Sequence, residues 1–316
     1  MDEYGLSARV DLDVDVVVVS YNSRAHLRRC IEPIARGLMD RIVVVDNASA
    51  DDATATISDL PVTVVAEESN RGFAHGCNRG WRLGSAPYVL FLNPDCEIHA
   101  AAIAALVAVL EGNEKAGIVG PRILDHSGSV ARSQFRFPRV LSTFSEALYL
   151  HRLWRTSPWA SETVFELASY ERPHEAEWLS GACLLVRREL LECVGGFDET
   201  FFMYSEDAEL CRAARSCGYS VHFEPTASVV HIGGGSAPRA ALLTMRMRSR
   251  VLYVSKNYPL RISVVHRLGF ALESLSHAIV GKGGWPGRRG YLASFNTALF
   301  GPSGRRDGST PNIREG

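Results

Sequence analysis

The sequence predicts an α/β protein built on a mostly parallel central sheet with helices on both faces, and three observations carry that expectation. Val14 to Ser20 (VDVVVVS), Arg41 to Asp46 (RIVVVD) and Tyr88 to Leu92 (YVLFL) are nearly continuous apolar runs, the pattern of strands covered on both faces. Between them, Leu27, Ile31, Ile34 and Leu38 and then Phe73, Cys77 and Trp81 recur at helical spacing. Strand and helix therefore alternate through the first half, as in a doubly wound sheet.

The remaining elements follow in order. Ser23 is placed to cap the first helix. Asn47, Ser49, Asp51 and Asp52 form a polar turn into a short helix, and Val62 to Ala66 reads as a third strand. Ala100 to Leu110 reads as a buried helix, too short to span a bilayer. From Arg122 to Glu177 the periodicity fades into a segment rich in Arg and aromatics, either a substrate loop or a poorly ordered insertion. Trp178 to Val186 restores order, Gly195 to Asp198 reads as a turn, a helix runs from about Asp207 to Cys217, and Tyr219 to Phe223 reads as a strand.

With 316 residues, 46% of them hydrophobic, the chain can bury a full core. We expect a main unit over residues 1–238, its halves at about 10–121 and 122–238, and a basic, partly helical C-terminal extension over 239–316. The acidic N-terminus lacks the basic start and apolar run of a signal peptide. Seven scattered cysteines suggest reduced packing residues of a cytoplasmic protein. The net charge of −1 conceals an asymmetry, since residues 239–316 hold 13 Lys and Arg against 3 Asp and Glu. Such a tail suits an anionic membrane surface or a lipid diphosphate better than nucleic acid. Val265, Leu268, Leu272, Leu275 and Ile279 form an apolar stripe in it, flanked by Arg261, Arg267, Lys282, Arg288 and Arg289. That stripe either lies peripherally on the membrane or packs on the protein or on a second subunit in a homodimer.

The chemistry-bearing residues gather at strand ends. The first strand runs into Ser20-Tyr21-Asn22-Ser23 and not into G-x-G-x-x-G, which argues against a dinucleotide-dependent dehydrogenase. Asp95 follows the strand Tyr88 to Leu92, where an acid can hold a hard cation against a diphosphate. Ser205-Glu206-Asp207 and His231 lie far downstream. Together they suggest a metal, a base and a bound nucleotide.

The motifs VVVVSYNS, IVVVDNASADDAT, NRGFAHGCNRG, YVLFLNPDCEI, WLSGACLLVRRE, GGFDETFFMYSEDAELCRAARSCGY and VVHIGGGS resemble those of family-2 glycosyltransferases, most closely the rhamnosyltransferase-like members. They occur in family order over roughly the first three quarters of the chain. The resemblance implies a GT-A type fold and a metal-dependent, inverting transfer of a sugar from a nucleoside-diphosphate donor. On that likeness Ser20, Tyr21 and Asn22 border the nucleoside, and Asp46 beside Asn47 accepts hydrogen bonds from the base. Asn70, Arg71, Gly72 and Asn78 close over the nucleotide, with Arg71 and the following helix N-terminus near phosphate. Asn93-Pro94-Asp95 stands where the family carries Asp-x-Asp, so the amide leaves Asp95, with the late His231, as ligands for Mn²⁺ or Mg²⁺. Asp207 becomes the general base, Glu206 positions it or an acceptor hydroxyl, and Trp178, Ser180 and Gly181 line the acceptor side.

Rhamnose from a dTDP donor and a glycan or polyprenyl-linked acceptor are the expected substrates. Two other readings stay open: a catalytically silent sugar-nucleotide or glycan-binding subunit, which Asn93 permits, and a sugar nucleotidyltransferase, which SYNS does not favour. Arg239, Arg246 and Arg250 share a helical face and either meet phosphate or form a solvated stripe.

Overall fold

The computed structural model describes residues 12–35, 37–38, 41–233, 239–280 and 284–301. The N-terminal acidic segment, Gly234 and Gly235 of the glycine run, Lys282 and residues 302–316 lie outside them. In chain order the elements are β1 (Val14–Ser20), α1 (Leu27–Ala35), β2 (Ile42–Asp46), β3 (Thr63–Ala66), α2 (Phe73–Trp81) and β4 (Tyr88–Leu92). There follow β5 (Cys96–Glu97), α3 (Ala100–Gly112), β6 (Ala116–Leu124), β7 (Gln134–Phe135) and α4 (Val140–Ala147). The second half adds β8 (His174–Ala176), β9 (Trp178–Leu179), β10 (Cys183–Arg187), α5 (Arg188–Val194), α6 (Glu206–Ser216) and β11 (Ser220–His231). Three helices close the described chain: α7 (Arg239–Asn257), α8 (Leu260–Val280) and α9 (Gly284–Phe300).

The sheet runs β3-β2-β1-β4-β10-β6-β11-β5, with β8 on β11, while β7 and β9 form a separate ribbon. Its first four strands are parallel, as the apolar runs predict, and β10 enters antiparallel to both β4 and β6. β1 and β4 are buried throughout, one face on α1 and α3 and the other on α2 and α6. On α1, Leu27, Ile31 and Ile34 are buried as their spacing predicts. Ser23 does not spend its hydroxyl on the helix: it pairs with Ser20 Oγ at 2.5 Å.

Three expectations need correction. Residues 122–177 are not one irregular stretch, since they contain the end of β6, β7, α4 and β8. β11 is twelve residues long, continuing to His231 through a register shift between Glu224 and Ser228. The cysteines are not all reduced packing residues: Cys193 and Cys217, 24 residues apart, form a disulfide, while the other five are free and buried.

The C-terminal helices share a core with the rest of the chain, where Met247, Val251, Tyr253, Val254 and Phe270 meet Phe201 and Ala208. α8 packs inward through Ser263, His266, Gly269, Phe270, Ala271 and Ser274, so its apolar stripe points elsewhere: Leu268, Leu275 and Ile279 are exposed, Val265 and Leu272 half-buried. No described helix is long and apolar enough to cross a membrane.

Candidate functional site

The carboxyl ends of β1, β2 and β4 open on one crevice, the place where open α/β sheets bind ligands. Register puts Ser20 directly beside Asp46. Asn22, in a left-handed conformation, takes a Ser49 hydroxyl on its N–H at 3.0 Å and accepts from the Ala50 N–H at 2.8 Å. Asp46 accepts from the Ser49 hydroxyl, and Tyr21, between Ser20 and Asn22, is half-buried. Ser20, Asn22 and Asp46 are thus brought together at the ends of β1 and β2.

The Asn70–Gly72 turn is held from below. Buried Asn47 donates to Asn70 Oδ1 at 2.9 Å and the Gly72 carbonyl at 3.0 Å, and accepts from the Arg71 N–H. Asn47 therefore shapes the turn with an amide committed on both sides. Gly72 has φ 95, and a Cβ there would meet the Phe202 carbonyl oxygen at 2.3 Å, so only glycine lets these backbones touch. The first N–H of α2, on Phe73, donates to that carbonyl and is not turned to a phosphate. Asn78, on α2, faces the 197–199 segment. It is buried, donates to the Phe197 carbonyl and Glu199, and accepts from the Phe197 N–H and the Trp81 indole. Its amide holds the 197–199 segment. Arg71 is half-exposed and lies 3.8 Å from Glu199.

Asp95 and His231 meet because β5 pairs antiparallel with the end of β11, His231 opposite Cys96, and the Ile232 N–H donates to the Asp95 carbonyl at 3.0 Å. His231 Nε2 lies 3.2 Å from Asp95 Oδ2. Burial works to raise the Asp95 carboxyl, but the hydrogen bond and charge of His231 outweigh it and hold Asp95 below its ordinary range. Donor atoms of Asp95, Cys96 and His231 lie within 4.8 Å of one another. A carboxylate oxygen and an imidazole nitrogen suit a hard divalent ion whose other positions go to phosphate and water. Cys96 suits it poorly: it is fully buried, burial pushes its thiol well up, and Sγ contacts the Ala182 carbonyl at 3.4 Å. Asn93 is joined to the next strand by its N–H to the Ala182 carbonyl at 2.9 Å.

That strand links the two acidic clusters. Gly181, one residue before Ala182, donates its N–H to Asp207 Oδ2 at 2.9 Å, and the Ala208 N–H donates to Oδ1 at 2.8 Å. Tyr204 and Ser205 are both left-handed, a costly conformation for non-glycine residues, and turn the chain sharply into α6. Burial pushes Asp207 above its ordinary range, opposed by the N–H groups of Gly181, Ala208 and Asp207 itself and by the charge of Arg246. Glu206 is raised further, by burial and then by Asp207, and its Oε2 is buried without a partner among the described residues. Ser180 is anchored by its N–H to the Ser133 carbonyl. Trp178 stacks on Phe135 at 4.3 Å and donates its indole N–H to the Arg136 carbonyl, so one ring face is already covered.

One neighbour was not legible as a site residue. His26 lies close enough to Asp95 to lower it, and its Nδ1 is buried without a partner among the described residues; a lone His at a helix start carries no sequence signal. Arg246 and Arg250, one turn apart on α7, part company: exposed Arg246 reaches Asp207 by its charge, whereas Arg250 is half-buried against Glu273 at 2.6 Å. The side chain of Arg239 is outside the described set.

A family model for glycosyl transferase family 2 matches residues 15–195. An N-acetylglucosaminyl-diphospho-decaprenol L-rhamnosyltransferase of Mycobacterium tuberculosis is 31% identical over 261 residues, 77% of this chain and 84% of that protein. The rhamnosyltransferase WbbL of Escherichia coli K12 is 24% identical over 226 residues, 69% of this chain and 83% of its own length. A mannosyltransferase of Pyrobaculum calidifontis, solved with GDP-Man and Mn²⁺, superposes with a TM-score of 0.55 at 18% identity over 91% of this chain and 87% of that one. The architecture is the GT-A type that the motifs imply. The chain belongs to glycosyl transferase family 2 and is a glycosyltransferase similar to the rhamnosyltransferases of that family.

Proposed function

We propose that the protein transfers rhamnose from dTDP-rhamnose, with inversion, to a hydroxyl of a polyprenyl-linked saccharide. The observation that carries this reading is the placement of Asp95 with His231, and of Asp207 on Gly181, at neighbouring strand ends. The names of the rhamnosyltransferase relatives support the sugar, and the decaprenol diphosphate in one of them supports the acceptor.

In this mechanism Ser20, Tyr21, Asn22 and Asp46 border the nucleoside. Asp95 and His231 hold Mn²⁺ or Mg²⁺, which neutralises charge on the departing diphosphate when bound. Asp207 takes the proton of the acceptor hydroxyl as its oxygen bonds to the anomeric carbon and the bond to diphosphate breaks on the opposite face. A carboxylate raised by burial is a stronger base than an ordinary one, and two N–H donors fix its orientation. Glu206, raised above its ordinary range by burial and then by the charge of Asp207, precedes Asp207 on α6 and is suited to position an acceptor hydroxyl. Arg71, near Glu199, and Arg246, whose charge reaches Asp207, supply cations toward the phosphates.

Residues 1–238 act in this reading as the catalytic unit, and 239–316 as a basic extension that meets an anionic membrane carrying the acceptor. A silent binding subunit would have no use for an oriented, buried base, which favours the enzyme. The test is a screen of nucleotide sugars for metal-dependent release of nucleoside diphosphate in the presence of a polyprenyl-diphosphate saccharide. Release from dTDP-rhamnose supports the reading; release from another donor only would replace the sugar.

A further inference from the structure

Apart from Val64, Leu83 and Leu167, every large apolar side chain that stands exposed among the described residues lies between Leu141 and Trp159 or between Leu260 and Phe300. These two stretches are joined. Thr143 Oγ1 lies 2.8 Å from His266 Nδ1, and a Cβ at Gly269 would stand 2.6 Å from the Thr143 methyl, so α4 and α8 are in close contact. Beyond α4 the Tyr149 ring meets His277 at 4.9 Å. Arg250 fastens the group from behind, 2.6 Å from Glu273 on α8, 3.9 Å from Glu146 on α4 and 3.7 Å from Glu162. The outer side carries Leu153 at 75% exposure, Trp154 at 48% and Ile279 at 67%.

Resting on the membrane contact proposed for the extension, we infer that residues 148–159, a run of turns around a short 3-10 helix at Leu150–Arg152, form its second half, a wedge that enters an anionic lipid surface beside α8. Charge selects the occupant. Residues 148–160 contain Arg152 and Arg155 and no acid, and the one acid of α8, Glu273, is spent on Arg250. A twofold pairing with another copy would set these cations against themselves. Anionic headgroups complement them, while Trp and Leu enter the boundary below.

Co-sedimentation of the full chain with phosphatidylglycerol-containing and with pure phosphatidylcholine vesicles tests the assignment. We expect binding to the former only, weakened by salt. Leu153→Ser/Trp154→Ser should lower it about tenfold or more, and Arg152→Gln/Arg155→Gln should remove the preference for anionic lipid. Both variants should keep parental affinity for nucleoside diphosphate, which reports folding. If Leu268→Ser/Ile279→Ser loses binding while Leu153→Ser/Trp154→Ser keeps it, the wedge is overturned and the extension's contact stands. Absence of vesicle binding by the parent overturns both. A dimer in sedimentation velocity that Leu153→Ser/Trp154→Ser abolishes, with no vesicle binding, assigns the face to a second copy.

Discussion

The backbone N–H of Gly181 donates to Asp207 Oδ2 at 2.9 Å across 26 residues of sequence. A Cβ at Gly181 would stand 3.2 Å from the Asp207 Cβ, tight enough that glycine is what lets the carboxylate lie against this strand. The contact sets the Asp207 carboxylate beside the Ala182 carbonyl that accepts from the Asn93 N–H, and so joins the proposed acceptor chemistry to the proposed donor chemistry.

Asp207→Asn should therefore retain donor affinity and lose roughly 100- to 10,000-fold in turnover, since the amide keeps size and cannot take a proton. Gly181→Ala should lower kcat as well, through displacement of the carboxylate. Calorimetry with nucleoside diphosphate beside steady-state turnover checks both, and near-parental turnover of Asp207→Asn would remove Asp207 from the base role.

Nucleoside diphosphate should bind more tightly with Mn²⁺ or Mg²⁺ than without, because diphosphate beside an uncompensated Asp95 is repelled. Asp95→Ala and His231→Ala should each shrink that enhancement. Affinity and turnover both indifferent to chelator would contradict the metal assignment.

Arg246 lowers Asp207 by its charge, against the upward push of burial. Arg246→Gln should then raise the Asp207 pKa, and the acidic limb of the kcat/KM profile should move to higher pH. An unmoved limb, with kcat/KM reduced evenly at all pH values, would assign Arg246 to substrate binding alone.

Burial, then the neighbouring charge of Glu146, pushes Glu162 from its ordinary 4.5 up to about 8. Its folded pKa lies above its unfolded one, so the stability it contributes is full below about pH 4.5 and is lost as pH rises to about 8. Thermal melting of Glu162→Gln should fall less than that of the parent over this window. Parallel curves would show that Glu162 ionises as easily in the folded chain as in the unfolded one.

Strands β1, β2 and β4 were legible because burial on both faces forces unbroken apolar runs such as VVVV at 16–19. β6 was not, because Gly117, Gly120 and Pro121 interrupt it, and Gly117 and Gly120 are there for packing: a Cβ on Gly120 would meet Leu179 at 2.9 Å. The far half of β11 hides behind Glu224 and Pro225 at its irregularity. Single site residues were readable from motifs at strand ends, but their meetings were not. Asp95 reaches His231 only through the β5–β11 ladder, and His26 joins them by tertiary packing that leaves no spacing in the sequence. The four hydrogen bonds of the buried Asn78 amide were not legible either, because a structural amide and a ligand-binding amide look alike in one sequence.

The most direct test is release of dTDP from dTDP-rhamnose, measured with and without a polyprenyl-diphosphate saccharide acceptor, with and without Mn²⁺, for the parent and Asp207→Asn. The account predicts acceptor-dependent and metal-dependent release by the parent and, for Asp207→Asn, bound donor without release. Release by Asp207→Asn at the parental rate, or release by the parent that persists undiminished in excess chelator, would contradict it.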